Sequence, residues 1–294
     1  MKTKSSVLPL RLRCTFFAYT ISSTDPTLLN SFKNMTTLVQ IRKDAPSGTI
    51  IINRPEKRNA INRDLVAQLS EAFDDFMQER SVRAVVLTGT GDTFCSGSDL
   101  SEIHETSETP DCMATWHQES QQLKSLIETI LRFPKPVIAA INGPVMGIGT
   151  ALMLAADVVV AGESASVGFP ESRRGLSAGF TLPLLSFRVG TGCAASLILT
   201  GNTLTAQQSL TRGLVHEVVP DDFVWARSNE VAADCAAGAR ESHQMTKQLI
   251  NETIGEAMLT QLSTGAANTA AARTTDAAKE GIAAFLEKRE PKWD

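Results

Sequence analysis

An α/β fold with buried sheets is the architecture this sequence predicts, and three features carry the prediction. Short apolar runs rich in Val and Ile alternate with longer segments of helical periodicity. Of the 294 residues, 43% are hydrophobic and 20% charged, a balance that suits a folded chain and excludes a disordered or fibrous one. After residue 35 no Pro/Ser-rich linker, charge block or fixed-period repeat divides the chain. The organisation expected is an N-terminal extension over 1–34, an α/β core over 35–225 and a helical region over 226–294.

Leu38-Val39-Gln40-Ile41 and Thr49-Ile50-Ile51-Ile52 read as a hairpin split by Pro46-Ser47-Gly48. Leu65, Val66, Leu69, Phe73 and Phe76 recur at helical spacing behind Asn62, a suitable N-cap. Ala84-Val85-Val86-Leu87 is a buried strand running into the loop Thr88-Gly89-Thr90-Gly91-Asp92. A long helix is expected from about Met113 to Leu131, stopped by Pro134. Pro136–Ile141 is the next strand, Gly147-Ile148-Gly149 opens an Ala/Leu-rich helix ending near Ala156, and Asp157–Ala161 is strand again. Beyond residue 180 the pattern is mostly helical, with Thr200-Gly201 and Arg212-Gly213 as helix ends and Val218-Val219-Pro220 a last strand-like piece. The C-terminal 70 or so residues read as two or three amphipathic helices.

Charge and composition exclude several functions. Lys+Arg total 28 against 32 Asp+Glu, a net charge of −4, so neither nucleic acid nor an anionic membrane is an expected partner. Apolar stretches break well short of the ~20 residues that span a bilayer, so no membrane span is expected. Five cysteines without a C-x-x-C pair read as free thiols of a reducing, cytoplasmic setting, and His104, His117, His216 and His243 make no metal-ligand cluster. Residues 1–34 carry +4 and leave −8 on the remainder. Their basic, Ser/Thr-rich character fits organellar import, but a tail or a start-site artefact ahead of Met35 is the preferred reading.

Three glycine-bearing turns could carry chemistry. Phe94-Cys95-Ser96-Gly97-Ser98-Asp99-Leu100 and Gly143-Pro144-Val145-Met146-Gly147-Ile148-Gly149 each pass from strand to helix. Side by side, they could aim two backbone N–H groups at one oxygen, as in stabilisation of an enolate. Neither matches a dinucleotide or phosphate-loop pattern, and spacing alone favours simple tight turns. The third is Gly168-Phe169-Pro170-Glu171-Ser172-Arg173-Arg174-Gly175, where Glu171 is either a desolvated base or a surface partner of Arg173 or Arg174.

At these residues the chain resembles the crotonase superfamily, the enoyl-CoA hydratase/isomerase family. The likeness runs from Leu38 to Trp293 through Asn53-Arg54-Pro55-Glu56-Lys57-Arg58-Asn59-Ala60, Phe94–Leu100, Lys135–Gly143, Ala156-Asp157, Pro170-Glu171, Leu199-Thr200-Gly201, Gly213-Leu214-Val215 and Phe285–Arg289. The resemblance implies a spiral of ββα turns with a helical C-terminal region, assembled as a homo-trimer or dimer of trimers. It implies acyl-CoA thioester substrates, with coenzyme A entering as part of the substrate and no permanently bound cofactor. Carried over, the oxyanion hole is the N–H groups of Ser98 and Ile148, and Glu171 is catalytic. Lys57, Arg58, Ala60, Ser96, Asp99, Leu100, Gly147 and Pro170 line the substrate channel, Gly179 matches the glycine whose N–H helps hold the hydratases' water, and Phe285 and Lys288 meet the CoA nucleotide.

One departure shapes the chemistry. The family's hydratases use two glutamates, and the position of the first holds Ala151, whereas the second is kept as Glu171. Adding water across a double bond needs one group to activate the water and a proton source for the α-carbon. Moving a double bond needs one proton removed and returned, which a single Glu171 suffices to do. The preferred expectation is therefore an enoyl-CoA isomerase. The alternatives are a hydratase, or another lyase or hydrolase of the superfamily, that recruits Glu102, Glu105 or His104, and a non-catalytic CoA-binding scaffold. Met113, Trp116 and Leu123 could be helix core or substrate contacts, and Asp111 and Glu119 read as solvated.

Overall fold

Val39–Asp44 (β1) and Ser47–Ile52 (β2) form the expected antiparallel hairpin in a computed structural model that describes residues 37–293. The readings made for residues 1–34 lie outside the described residues. Every residue of β2 is buried, as a strand with neighbours on both faces requires. It pairs in parallel with β3 (Ala84–Gly89), and β4 (Val137–Ile141), β6 (Val158–Gly162) and β9 (Glu217–Val219) follow in parallel, giving the order β1-β2-β3-β4-β6-β9.

A second sheet makes this a spiral. After β4 the chain enters β5 (Val145–Met146) and after β6 it enters β7 (Ser166–Gly168), and these two pair in parallel, with β8 (Thr203–Thr205) antiparallel at the edge. The bridges Ile61↔Ser98 and Cys95↔Val145 extend the same layer toward the first turns of the spiral. Each short strand of this layer leads into a helix or helical turn: α1 (Arg63–Gln78), α2 (Leu100–Ser107), α4 (Ile148–Ala155) and the turn Glu171–Arg174. Helix N-termini therefore collect along one layer. The sequence read β5 and β7 as turns, since two or three residues are too few to show an alternating pattern.

Local chemistry agrees with the helix boundaries. Asn62 Oδ1 accepts from the Leu65 amide at 3.0 Å to cap α1, whose Leu65, Leu69, Phe73 and Phe76 are buried. Helix α3 (Cys112–Arg132) stops before Pro134 and packs against α1 and α4. The buried Lys135 ammonium donates to the carbonyls of Phe76 and Glu79 at the end of α1. Asp157 accepts from the Val137 amide and from buried Lys247, both at 2.7 Å. Those two motif positions brace the fold.

Helices α5 (Thr181–Val189), α6 (Thr191–Thr200) and α7 (Ala206–Thr211) follow, with Gly201 closing α6 as expected. Among the described residues past 223 there are four α-helices, where two or three were expected, α8 (Val224–Ala237), α9 (Arg240–Leu249), α10 (Glu256–Ala272) and α11 (Asp276–Leu286), with a π-helical turn Ile250–Ile254 between α9 and α10. The extra division comes from extended backbone at Gly238-Ala239 and from Thr275, which caps α11 by accepting from the Ala278 amide. Helix α10 lies on α3 and α5, and α11 on α2 and the Glu171–Arg174 turn. Among the described residues no helix is long and apolar enough to cross a membrane.

Candidate active site

The two glycine turns do meet. The Cys95↔Val145 bridge joins them, with the Met146 amide donating to the Cys95 carbonyl at 2.9 Å. Gly149 allows this approach, because a Cβ there would lie 2.7 Å from Cys95 Cβ and 2.9 Å from the Cys95 carbonyl oxygen. Gly147 turns the chain with φ +52, a region costly for other residues, and leaves Ile148 as the first residue of α4. Neither the Ser98 nor the Ile148 amide is engaged by a backbone carbonyl among the described residues, so both N–H groups are free for a ligand. At Ile148 the helix dipole adds to that preference for negative charge.

Glu171 stands beside them. A methyl group placed on Gly147 would sit 3.8 Å from Glu171 Oε1, so the carboxyl borders the oxyanion turn. Its residue is 9% exposed and is paired with neither Arg173 nor Arg174, which excludes the surface ion pair. Arg173 instead donates to the Thr200 carbonyl, and Arg174 lies 4.6 Å over the Phe285 ring. Thr181 Oγ1 donates to Glu171 Oε1 at 2.8 Å, whereas Oε2 is buried without a partner. Burial pushes the carboxyl above its ordinary range, against the pull of its own amide and of Thr181. The result is a buried carboxyl of raised affinity for protons, with Oε1 held by Thr181 and Oε2 without a partner.

These groups border a cavity of about 600 Å³. Lys57, Arg58, Ala60, Ser96, Ser98, Asp99, Leu100, Gly147, Ile148, Pro170, Glu171 and Phe285 line it, so the structure assembles nearly the whole expected set. Exposed Lys57 and Arg58 put positive charge at the rim, suited to the phosphates of a nucleotide tail. Their loop is stapled by buried Asn59, which accepts from the Arg54 amide and donates to the carbonyls of Thr90 and Thr93. Asp99 lines the wall with its carboxylate already engaged: Arg54 lies at 2.7 Å, and the amides of Ser101 and Glu102 donate to it at the start of α2. Burial alone would raise its pKa, but Arg54 and those amides outweigh it and hold the group below the usual range.

Two expected residues sit elsewhere. Gly179 packs against the backbone of α10, where a Cβ would come within 2.2 Å of the Gly265 carbonyl oxygen, and exposed Lys288 lies off the cavity wall. Of the suggested second acids or bases, His104 and Glu105 are exposed, and Glu102 is paired with Arg63. Glu119 is not solvated: its side chain is 14% exposed and joins Arg63 and Arg273. Thr181, Arg54 and Arg273 were not anticipated as site residues. Thr181 and Arg273 act across the fold, and only Arg54 lay in a recognised motif.

Comparison with known proteins follows the same lines. A model of the enoyl-CoA hydratase/isomerase family matches residues 45–294. The 2,3-dehydroadipyl-CoA hydratase of Escherichia coli is 35% identical over 244 residues, covering 82% of this chain and 92% of that protein. The 1,2-epoxyphenylacetyl-CoA isomerase of Escherichia coli is 32% identical over 249 residues, 83% of this chain and 94% of that one. The crystal structure of carnitinyl-CoA hydratase from Mycobacterium avium matches with a TM-score of 0.75 at 32% identity, over 88% of this chain and 99% of that chain.

Proposed function

This chain belongs to the enoyl-CoA hydratase/isomerase family, and from that premise we propose that it shifts a carbon–carbon double bond in an enoyl-CoA, with Glu171 as the one proton carrier. The observation that carries this reading is the buried Glu171 carboxyl beside the Gly147 turn, supported by buried Ala151 at the position where the family resemblance puts the hydratases' other glutamate.

The steps follow from the residues. The thioester oxygen accepts from the amides of Ser98 and Ile148, which makes the C2 proton of a 3-enoyl chain acidic. Ionised Glu171 takes that proton, and the electron pair spreads over a dienolate held by the two amides. Returning the same proton to C4 leaves the conjugated 2-enoyl thioester and restores the carboxylate. CoA enters and leaves as part of the substrate, with its charged tail at Lys57 and Arg58, and the reaction uses the chain's own groups without a resident cofactor.

A second reading, hydration of a 2-enoyl-CoA, is favoured by the names of relatives, most of which are hydratases. Self-association into trimers also belongs to this proposal, supported by Met245, Leu249 and Ile250, which leave α9 and the turn after it apolar and exposed; light scattering in solution tests it. For the chemistry, the test is a 3-enoyl-CoA deuterated at C2. Deuterium recovered at C4, and its loss in Glu171→Gln, is expected; a hydroxylated product as the main species would favour the second reading.

A further inference from the structure

Beyond Glu171 the site continues into a smaller cavity of about 40 Å³, which shares Ser98, Ile148 and Glu171 with the main one and so begins at the reacting carbons. By volume it takes about three water-sized groups, the length of a short acyl chain. Its sides are apolar, including Ile103, Leu123 and Phe180, as any acyl pocket requires. Two other lining groups are polar: Thr269 on α10 and Arg273, one turn later at its C-cap.

Both are polar groups short of partners. Thr269 Oγ1 is buried with no hydrogen-bond partner, and it lies so near Gly179 that a Cβ there would stand 2.6 Å from it. Arg273 is 7% exposed, and among the described residues its guanidinium, with five N–H donors, is engaged through Nη1 alone, to Glu119 Oε2 at 2.7 Å. Glu119 is itself shared with Arg63. Burial draws the guanidinium's pKa down despite that carboxylate, so it is incompletely compensated where it stands. A wall built only to hold an alkyl end would have no use for either group.

We propose that Arg273 and Thr269 form the distal subsite of the acyl pocket and select a short acyl chain ending in a carboxylate. The planar guanidinium offers the chain end two parallel donors, and the Thr269 hydroxyl a third. This rests on the acyl-CoA reading above and adds the class of acyl group.

Binding of unreactive ligands separates the two ideas. Saturated six-carbon acyl-CoAs ending in carboxylate or in methyl are titrated by calorimetry against the wild type, Arg273→Met and Thr269→Val. The carboxylate chain is expected to bind about a hundredfold more tightly than the methyl chain to the wild type. That ratio should fall below tenfold in Arg273→Met, and by about tenfold in Thr269→Val, which keeps the test alive if the arginine variant does not fold. Equal binding of both chains to the wild type, or a preference that survives both substitutions, overturns the subsite. Failure of both chains to bind overturns the acyl-CoA reading together with it.

Discussion

Thr181→Val tests how Glu171 is tuned. The Thr181 hydroxyl donates to Glu171 Oε1 at 2.8 Å in a setting where the residue is 1% exposed, and Val keeps the shape while removing the donor. A hydrogen bond to a charged acceptor contributes about 1.5–3 kcal/mol, or roughly a ten- to hundredfold change in an equilibrium. This bond favours the ionised carboxylate, so its loss pushes Glu171 further in the direction that burial already takes it. A base must be ionised to act. The acid limb of kcat/KM for conjugation of a 3-enoyl-CoA should therefore move to higher pH, with activity on that limb about ten- to a hundredfold below wild type and a smaller loss on the plateau. Thr181→Ser should restore the profile. A limb that superimposes on wild type, or one that moves to lower pH, would refute the assignment of Thr181 as the positioning residue.

Other consequences are equally direct. In Glu171→Gln the buried charge is gone; because the folded-state carboxyl holds its proton more tightly than the unfolded one, wild-type stability should fall as pH rises from the ordinary carboxylate range through the raised value, and melting curves of the variant should lack that slope. Gly149→Ala forces a Cβ to within 2.7 Å of Cys95 Cβ, and should cost about 1–3 kcal/mol in urea unfolding while lowering kcat on the order of a hundredfold through displacement of the Ile148 amide. Asp99→Ala leaves Arg54 without its carboxylate and should destabilise by about 3 kcal/mol; in wild type that contribution is lost only as pH falls through the lowered value of Asp99, so the variant and wild type should converge in acid.

What the sequence disclosed and what it hid divide along physical lines. Ile50, Val85, Ile138 and Val160 sit in runs long enough to announce buried strands, and Asn62 and Pro134 mark helix ends by local chemistry alone. The second sheet was invisible because its strands hold two or three residues, too short to display a period. The turns that hold Ser98, Ile148 and Glu171 stood out by their glycines and by the family resemblance, and the structure brings all three to one cavity. Glu119 looked solvated because its partner Arg273 lies 154 positions away, and Thr181 was missed because nothing around it marks its side chain as the donor to Glu171. Long-range polar pairing leaves no local pattern, and in this protein it is what holds the Glu171 and Glu119 carboxyls.

The central claim, one carboxyl doing all the proton transfer, is tested most directly by rates on a matched pair. Purified protein is given a 3-enoyl-CoA and a 2-enoyl-CoA of the same chain, with conjugated thioester absorbance followed and Glu171→Gln as control. Conjugation of the first with little hydration of the second, and loss of the first in the variant, is the result predicted. Hydration of the second at a comparable rate would contradict it, and would mean that another group activates water in place of Ala151.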